Sequence, residues 1–210
     1  MKPTLLILLL LLLSLSSCNN EEVVNNEKIT KVEFKTQPLS INDVVSIANR
    51  LEKANLVTNS LGGQRVIKKS NEEEIQEIIA PLIENGKQLY AEMISQIKKT
   101  DEWNNLSEIE KSEILNLSDT QKAQISLCFI SFPSQSNSSM QKVAPIQKTN
   151  RAVSCLASAL GISAINDIIS GTIALTTVET GLQLLKVMGK RYLGYIGLAI
   201  AVYEFVECVS

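Results

Sequence analysis

The sequence predicts an all-α protein: a helical body with a long kinked helix and short capped helices, then an apolar C-terminal helical bundle or hairpin. Three observations carry this. Apolar residues recur at steps of three and four, as in Ile75, Ile79, Leu82, Gly86, Leu89, Met93 and Ile97, which line one face of a helix. Capping boxes recur too, at Ser70-x-x-Glu73, Ser107-x-x-Glu110 and Ser118-x-x-Gln121, each satisfying the free N–H groups of a helix start. Beyond residue 151 the chain is apolar and glycine-rich, with stretches hydrophobic nearly all round, which must be buried.

The chain begins MKPTLLILLLLLLSLSSC. Lys2 is a positive start and Leu5–Leu13 an unbroken apolar run, too short for a permanent span of ~20 residues, so 1–17 reads as a cleaved signal peptide. Its end, Leu15-Ser16-Ser17-Cys18, resembles the lipobox of bacterial lipoproteins. The resemblance covers residues 1–18 only; the rest of the chain carries no family pattern. It implies cleavage before Cys18, a diacylglyceryl thioether on its sulfur and acylation of the new amine. Each buried methylene contributes about 0.8 kcal/mol, so two or three chains hold a protein on the membrane permanently. Asn19 stands where an Asp retains some lipoproteins at the inner membrane, which implies the outer membrane. Glu21 and Glu22 resemble the acidic surface-export signals of certain lipoproteins and imply exposure on the outer face.

Residues 18–39 are polar but for VV and KVEF and read as a lipidated tether of about 20 residues, reaching roughly 65 Å when extended. Val32 and Phe34 alternate as strand residues would. The helical region, 40–130, opens at Ser40-x-x-Asp43, and Ile41, Val44, Ala48 and Leu51 predict a helix over 41–56. Leu61-Gly62-Gly63 ends it in a turn, and Arg65–Lys69 reads as a short strand. The long helix starts behind Ser70, ends near Thr100 and is predicted to kink at Pro81, which removes one backbone bond. An internal repeat follows: Leu106–Ile114 and Leu117–Ile125 match at Leu, Ser, Lys and Ile, predicting helices over 108–115 and 119–130. Asp101, Asn104, Asn105, Glu108 and Asp119 lack the glycine and alternating oxygens of a calcium loop.

Residues 131–150 hold five serines, two prolines and no acid and read as a linker. The module 151–210 is predicted to hold helices over 151–170, 174–188 and 191–207, the second behind a box at Thr176-x-x-Glu179. Its longest uncharged runs, 152–166 and 192–203, are shorter than a membrane span, which favours a packed bundle over a membrane-active hairpin.

Four cysteines are present: Cys18, Cys128, Cys155 and Cys208, with no CxxC pair among them. Cys155 and Cys208 bracket the module, and a bond between them is the favoured disulfide, with Cys128 left outside it. Three plain antiparallel helices would hold these two roughly 25 Å apart. The pairing therefore requires an extra reversal near Gly161, or else Cys128 is the partner.

The chain has no histidine, which removes Ser-His-Asp and Cys-His catalysis, His-based zinc sites and a histidine switch. A net charge of −2 offers nucleic acid no basic patch, and aromatics at 4% offer no stacking surface for bases or sugars. No catalytic residue, metal ligand or cofactor is assigned; Glu108 and Glu110 read as solvated helix carboxylates. The expected function is that of a non-enzymatic, lipid-anchored envelope protein, in contact with the membrane through Cys18 and with a protein partner through its body. The alternative is a toxin-like protein acting on membranes through its apolar C-terminal helices.

Overall fold

The computed structural model describes residues 31–54, 58–59, 65–66, 72–130, 150–170 and 175–210. The signal stretch, Cys18, Glu21, Glu22, the Ser70 box and residues 131–149 of the linker lie outside them. Among the described residues the chain is all-helical apart from one minimal ladder, in which β1 (Thr58–Asn59) pairs antiparallel with β2 (Arg65–Val66).

Helix α1 (Ile41–Lys53) starts at Ser40, whose hydroxyl accepts from the Asp43 N–H while the Asp43 carboxylate accepts from the Ser40 N–H. It buries Val44, Ile47, Ala48 and Leu51. Helix α2 (Glu72–Ile97) is 26 residues long, about 39 Å. Pro81 does not end it. That residue faces solvent, where water can satisfy the carbonyl whose partner N–H proline lacks. A single turn unforeseen from sequence, α3 (Asp101–Asn104), is capped by Thr100 and buries Trp103.

Helices α4 (Glu108–Leu115) and α5 (Asp119–Phe129) are the two repeat units, each opened by a complete serine capping box. The repeated positions are the structural ones: Leu106 and Leu117 are buried before each cap, and Ile114 and Ile125 are fully buried at the matching site within each helix.

The stretch expected as one helix over 151–170 is two, α6 (Asn150–Leu160) and α7 (Ala164–Ser170). Gly161 makes the break with φ of +64°, and the Ile162 and Gly161 N–H groups bond back to the Ala157 and Ser158 carbonyls at 2.9 and 3.0 Å. Helix α8 (Val178–Lys190) is capped by Thr177 rather than Thr176, one residue later than expected. Helix α9 (Tyr195–Val209) closes the chain.

The helices before and after the serine-rich stretch share one hydrophobic core. Within it α5 packs chiefly on α2 and also touches α6, α8 and α9, while α9 lies against α6, α1 and α2. Helix α5 is also buried along almost its whole length. It buries Thr120, Gln121, Gln124 and Ser126 along with its apolar residues. Gly86 makes the α2–α5 approach feasible: a Cβ there would overlap the Lys122 carbonyl.

Candidate functional site

The segment just before α1 is where the chain coming from the N-terminus meets the body. Residues 31–39, read from sequence as the end of a free tether, instead lie docked as a strap. The alternation of Val32 and Phe34 is the reason. Val32 is 2% exposed, and the Phe34 ring packs on Phe129 with centroids 5.0 Å apart. Lys31, Glu33, Lys35 and Gln37 point out to solvent. Apolar groups on one side of an extended segment bury themselves wherever a greasy surface lies beside it.

Burying an extended segment requires partners for its backbone, and a helix normally offers none. Here three side chains of α2 supply them. Gln96 clips Glu33 from both directions, its Oε1 accepting from the Glu33 N–H at 2.9 Å and its Nε2 donating to the Glu33 carbonyl at 2.8 Å. The Glu92 carboxylate accepts from the Lys35 N–H at 2.8 Å, the Thr36 N–H at 3.2 Å and the Thr36 hydroxyl at 2.9 Å. Asn85 donates to the Gln37 carbonyl at 2.8 Å and accepts from the buried Ser126 hydroxyl at 2.7 Å. Spacings of seven and four along a helix set these side chains on one stripe, so α2 mimics the edge of a sheet. At the strap's start the Val32 N–H bonds to the Thr176 carbonyl, and Lys31 forms a bridge with Thr177 at the cap of α8.

Glu92 ionises more readily than an ordinary glutamate. Burial opposes its charge, but the N–H groups of Lys35 and Thr36, the Thr36 hydroxyl and the nearby Lys35 charge outweigh that cost and lower its pKa. The strap reads backbone at every rung and apolar bulk at positions 32 and 34. These contacts fasten an extended segment to the side of a helix.

The disulfide favoured from sequence is present. Cys155 and Cys208 are joined with Cα atoms 5.7 Å apart, and Cys128 is buried outside the bond. The reversal at Gly161 turns α7 away from α6, and α9 packs along α6. The Arg151 guanidinium donates to the Cys208 carbonyl at 2.8 Å beside the bond.

Compared with protein families, curated proteins and solved structures, the chain finds no match in any of the three.

The remaining carboxylates singled out in the sequence have local work. Glu110 closes the α4 capping box and pairs with Lys186 of α8 at 2.9 Å, and these contacts bring its pKa down to about 2. Glu108 pairs with Lys111 at 2.8 Å, and Asp119 with Lys87 at 3.0 Å. Among the described residues no three His, Cys, Asp or Glu side chains cluster as a metal site, and no helix is long and apolar enough to cross a membrane. The α2 residues that hold the strap, Asn85, Glu92 and Gln96, carry no signal of that role in the sequence. The one trace of the contact is the Val32–Phe34 alternation, which says that something must cover that face without saying what.

Proposed function

We propose that this protein is a non-enzymatic, lipid-anchored envelope component, held on the membrane through Cys18 and binding another protein through its helical body. The observation that carries the reading is the Leu15-Ser16-Ser17-Cys18 box behind a nine-residue apolar run. The outer membrane is its place by the residue after the lipidated cysteine, Asn19, and exposure on the outer face follows from Glu21 and Glu22. Two features of the body support it. The chain arriving from Cys18 meets a strap fastened along α2, so an anchored protein would hold its body by a defined attachment. Large apolar side chains also stand out from the surface at Ile109, 73% exposed, and Tyr192, 71% exposed, and offer anchoring points to a partner. The membrane-active alternative requires α6 and α9, joined by the Cys155–Cys208 bond, to leave a core in which Leu156, Leu160, Leu198, Val202 and Phe205 are buried.

The test of the anchor is Cys18→Ala. Without the thiol no lipid can be attached, so the variant is expected to lose labelled fatty acid and to leave the membrane fraction. A variant that still takes up label and stays with membranes refutes the anchor. Photoreactive residues at Ile109 and Tyr192, crosslinked in whole cells, are expected to capture a discrete protein partner; capture of lipid alone would favour the membrane-active reading instead.

A further inference from the structure

We propose that residues 31–39 form a releasable clasp, and that opening it lengthens the tether between the membrane anchor and the body. The clasp stands on the geometry alone, whereas the lengthening rests on the Cys18 anchor proposed above.

Among the described residues the strap is held differently from the helices. Each helix carries its own ladder of backbone bonds, but the strap meets the body's backbone at its start, through the Val32–Thr176 bond and the Lys31–Thr177 bridge, and along α2 it is held by the ends of Gln96, Glu92 and Asn85. Its rungs at Glu33 and Lys35 are solvent-exposed, so water can replace each in turn. Val32 is its one fully covered large side chain; Phe34 and Leu39 are half-buried. Releasing the strap breaks no bond of α2's own backbone ladder, and it frees the ends of Glu92 and Gln96, polar groups that water satisfies.

The order of the rungs decides how it opens. Strap residues 32, 33, 35–36 and 37 meet Thr176, Gln96, Glu92 and Asn85 in turn, so the strap runs antiparallel to α2 with its free end at the tether side. A pull from the anchor therefore reaches the Lys31 bridge and Val32 before the rungs at Gln96, Glu92 and Asn85. With the clasp shut, residues 19–30 reach at most about 40 Å; with it open, the tether through Leu39 reaches roughly 65 Å.

The experiment compares the full chain with its Glu92→Ala/Gln96→Ala variant by hydrogen exchange. Alanine is the best helix former, so α2 is not weakened. The amides of Val32, Glu33, Lys35 and Thr36 are expected to exchange at least about tenfold faster in the variant, while those of Leu89 and Ile125 stay within about twofold. Strap amides that exchange at the Leu89 rate in both proteins, or a variant in which all these amides speed up alike, would make the strap a fixed part of the fold and overturn the clasp. Val32→Ala, which trims the strap without touching α2, must act in the same direction. For the tether, the lipidated chain is placed in phosphatidylethanolamine–phosphatidylglycerol vesicles carrying a headgroup dye, and energy transfer is read from Trp103, the single tryptophan. The variant is expected to transfer less. The mass of the Cys18 peptide is measured first. Acylated Cys18 with unchanged transfer overturns the lengthening; unacylated Cys18 overturns the anchor and leaves the exchange rates to judge the clasp.

Discussion

Gln121 shows how much one side chain carries in this protein. Its Oε1 accepts from the Ser118 N–H at 2.8 Å and completes the box that starts α5. Its Nε2 donates to the Met188 carbonyl at 2.7 Å and lies 3.3 Å from that of Gly189, among the last carbonyls of α8. A glutamate would serve the first role as well and fail at the second, because a carboxylate has no hydrogen to donate. Gln121→Glu is therefore expected to cost about 1–3 kcal/mol, seen as a lower urea midpoint with the slope unchanged. Glu110 is the opposite case, an acid that must be an acid. Its folded pKa of about 2 lies below its ordinary 4.5, so its contribution is complete above about pH 4.5 and is lost as pH falls toward 2. Lys186, the Ser107 N–H and the Ser107 hydroxyl are the cause, in that order. Glu110→Gln should flatten the acid limb of the stability curve in that window, measured by thermal melts from pH 6 down to pH 2.

Among the elements, the α2–α5 pair shows tertiary packing overruling local preference. Taken alone, Gly86→Ala should strengthen α2 by about 1 kcal/mol, since glycine is a poor helix former. In the fold a Cβ at that site would overlap the Lys122 carbonyl and crowd the Ala123 nitrogen, which are backbone and cannot swing aside. The sign reverses: Gly86→Ala is expected to destabilise by about 1–3 kcal/mol, and a circular dichroism melt would show it. The break between α6 and α7 has a different origin. A long apolar run over 151–170 reads as one helix, but Gly161 takes a left-handed conformation that collects the last carbonyls of α6. Periodicity alone did not mark Gly161 as a stop, since Gly181 and Gly189 lie inside α8 without ending it; the reversal there was legible only as a condition of the Cys155–Cys208 bond.

For the whole molecule, the crosslink and the shared core act together. The Cys155–Cys208 bond joins residues 53 apart, and closing such a loop is expected to stabilise the fold by about 4 kcal/mol in the chain-entropy model. Cys155→Ser and Cys208→Ser should lower the melting temperature alike, and the double variant should cost little more than either, because both singles break the same bond. Since α9 lies on α1 and α2 as well as on α6, the loss should weaken the entire protein in one transition. Two transitions in a calorimetric scan would instead mean that the C-terminal helices melt by themselves.

What the sequence alone determined is what neighbouring residues decide between themselves. The serine boxes at Ser40, Ser107 and Ser118 bind within three residues, so helix starts were legible to the residue. The Cys155–Cys208 pair was favoured from the sequence only as the two cysteines that bracket the C-terminal stretch, with Cys128 left as the alternative partner. The tertiary structure decided matters that span the chain. Asn85 reaches Gln37 across 48 residues, Glu92 reaches Lys35 across 57 and Gln121 reaches Met188 across 67, and no spacing rule links such pairs. It also decided how deeply α5 is buried. The sequence marked the C-terminal stretches as buried by their hydrophobicity, and gave no such sign for α5, whose buried face carries threonine, glutamine and serine. Several of these polar groups find partners there: Ser126 meets Asn85, and Gln121 meets the end of α8. Burial of a polar side chain depends on whether a partner waits in the core, and that partner exists only once the distant helices have come together.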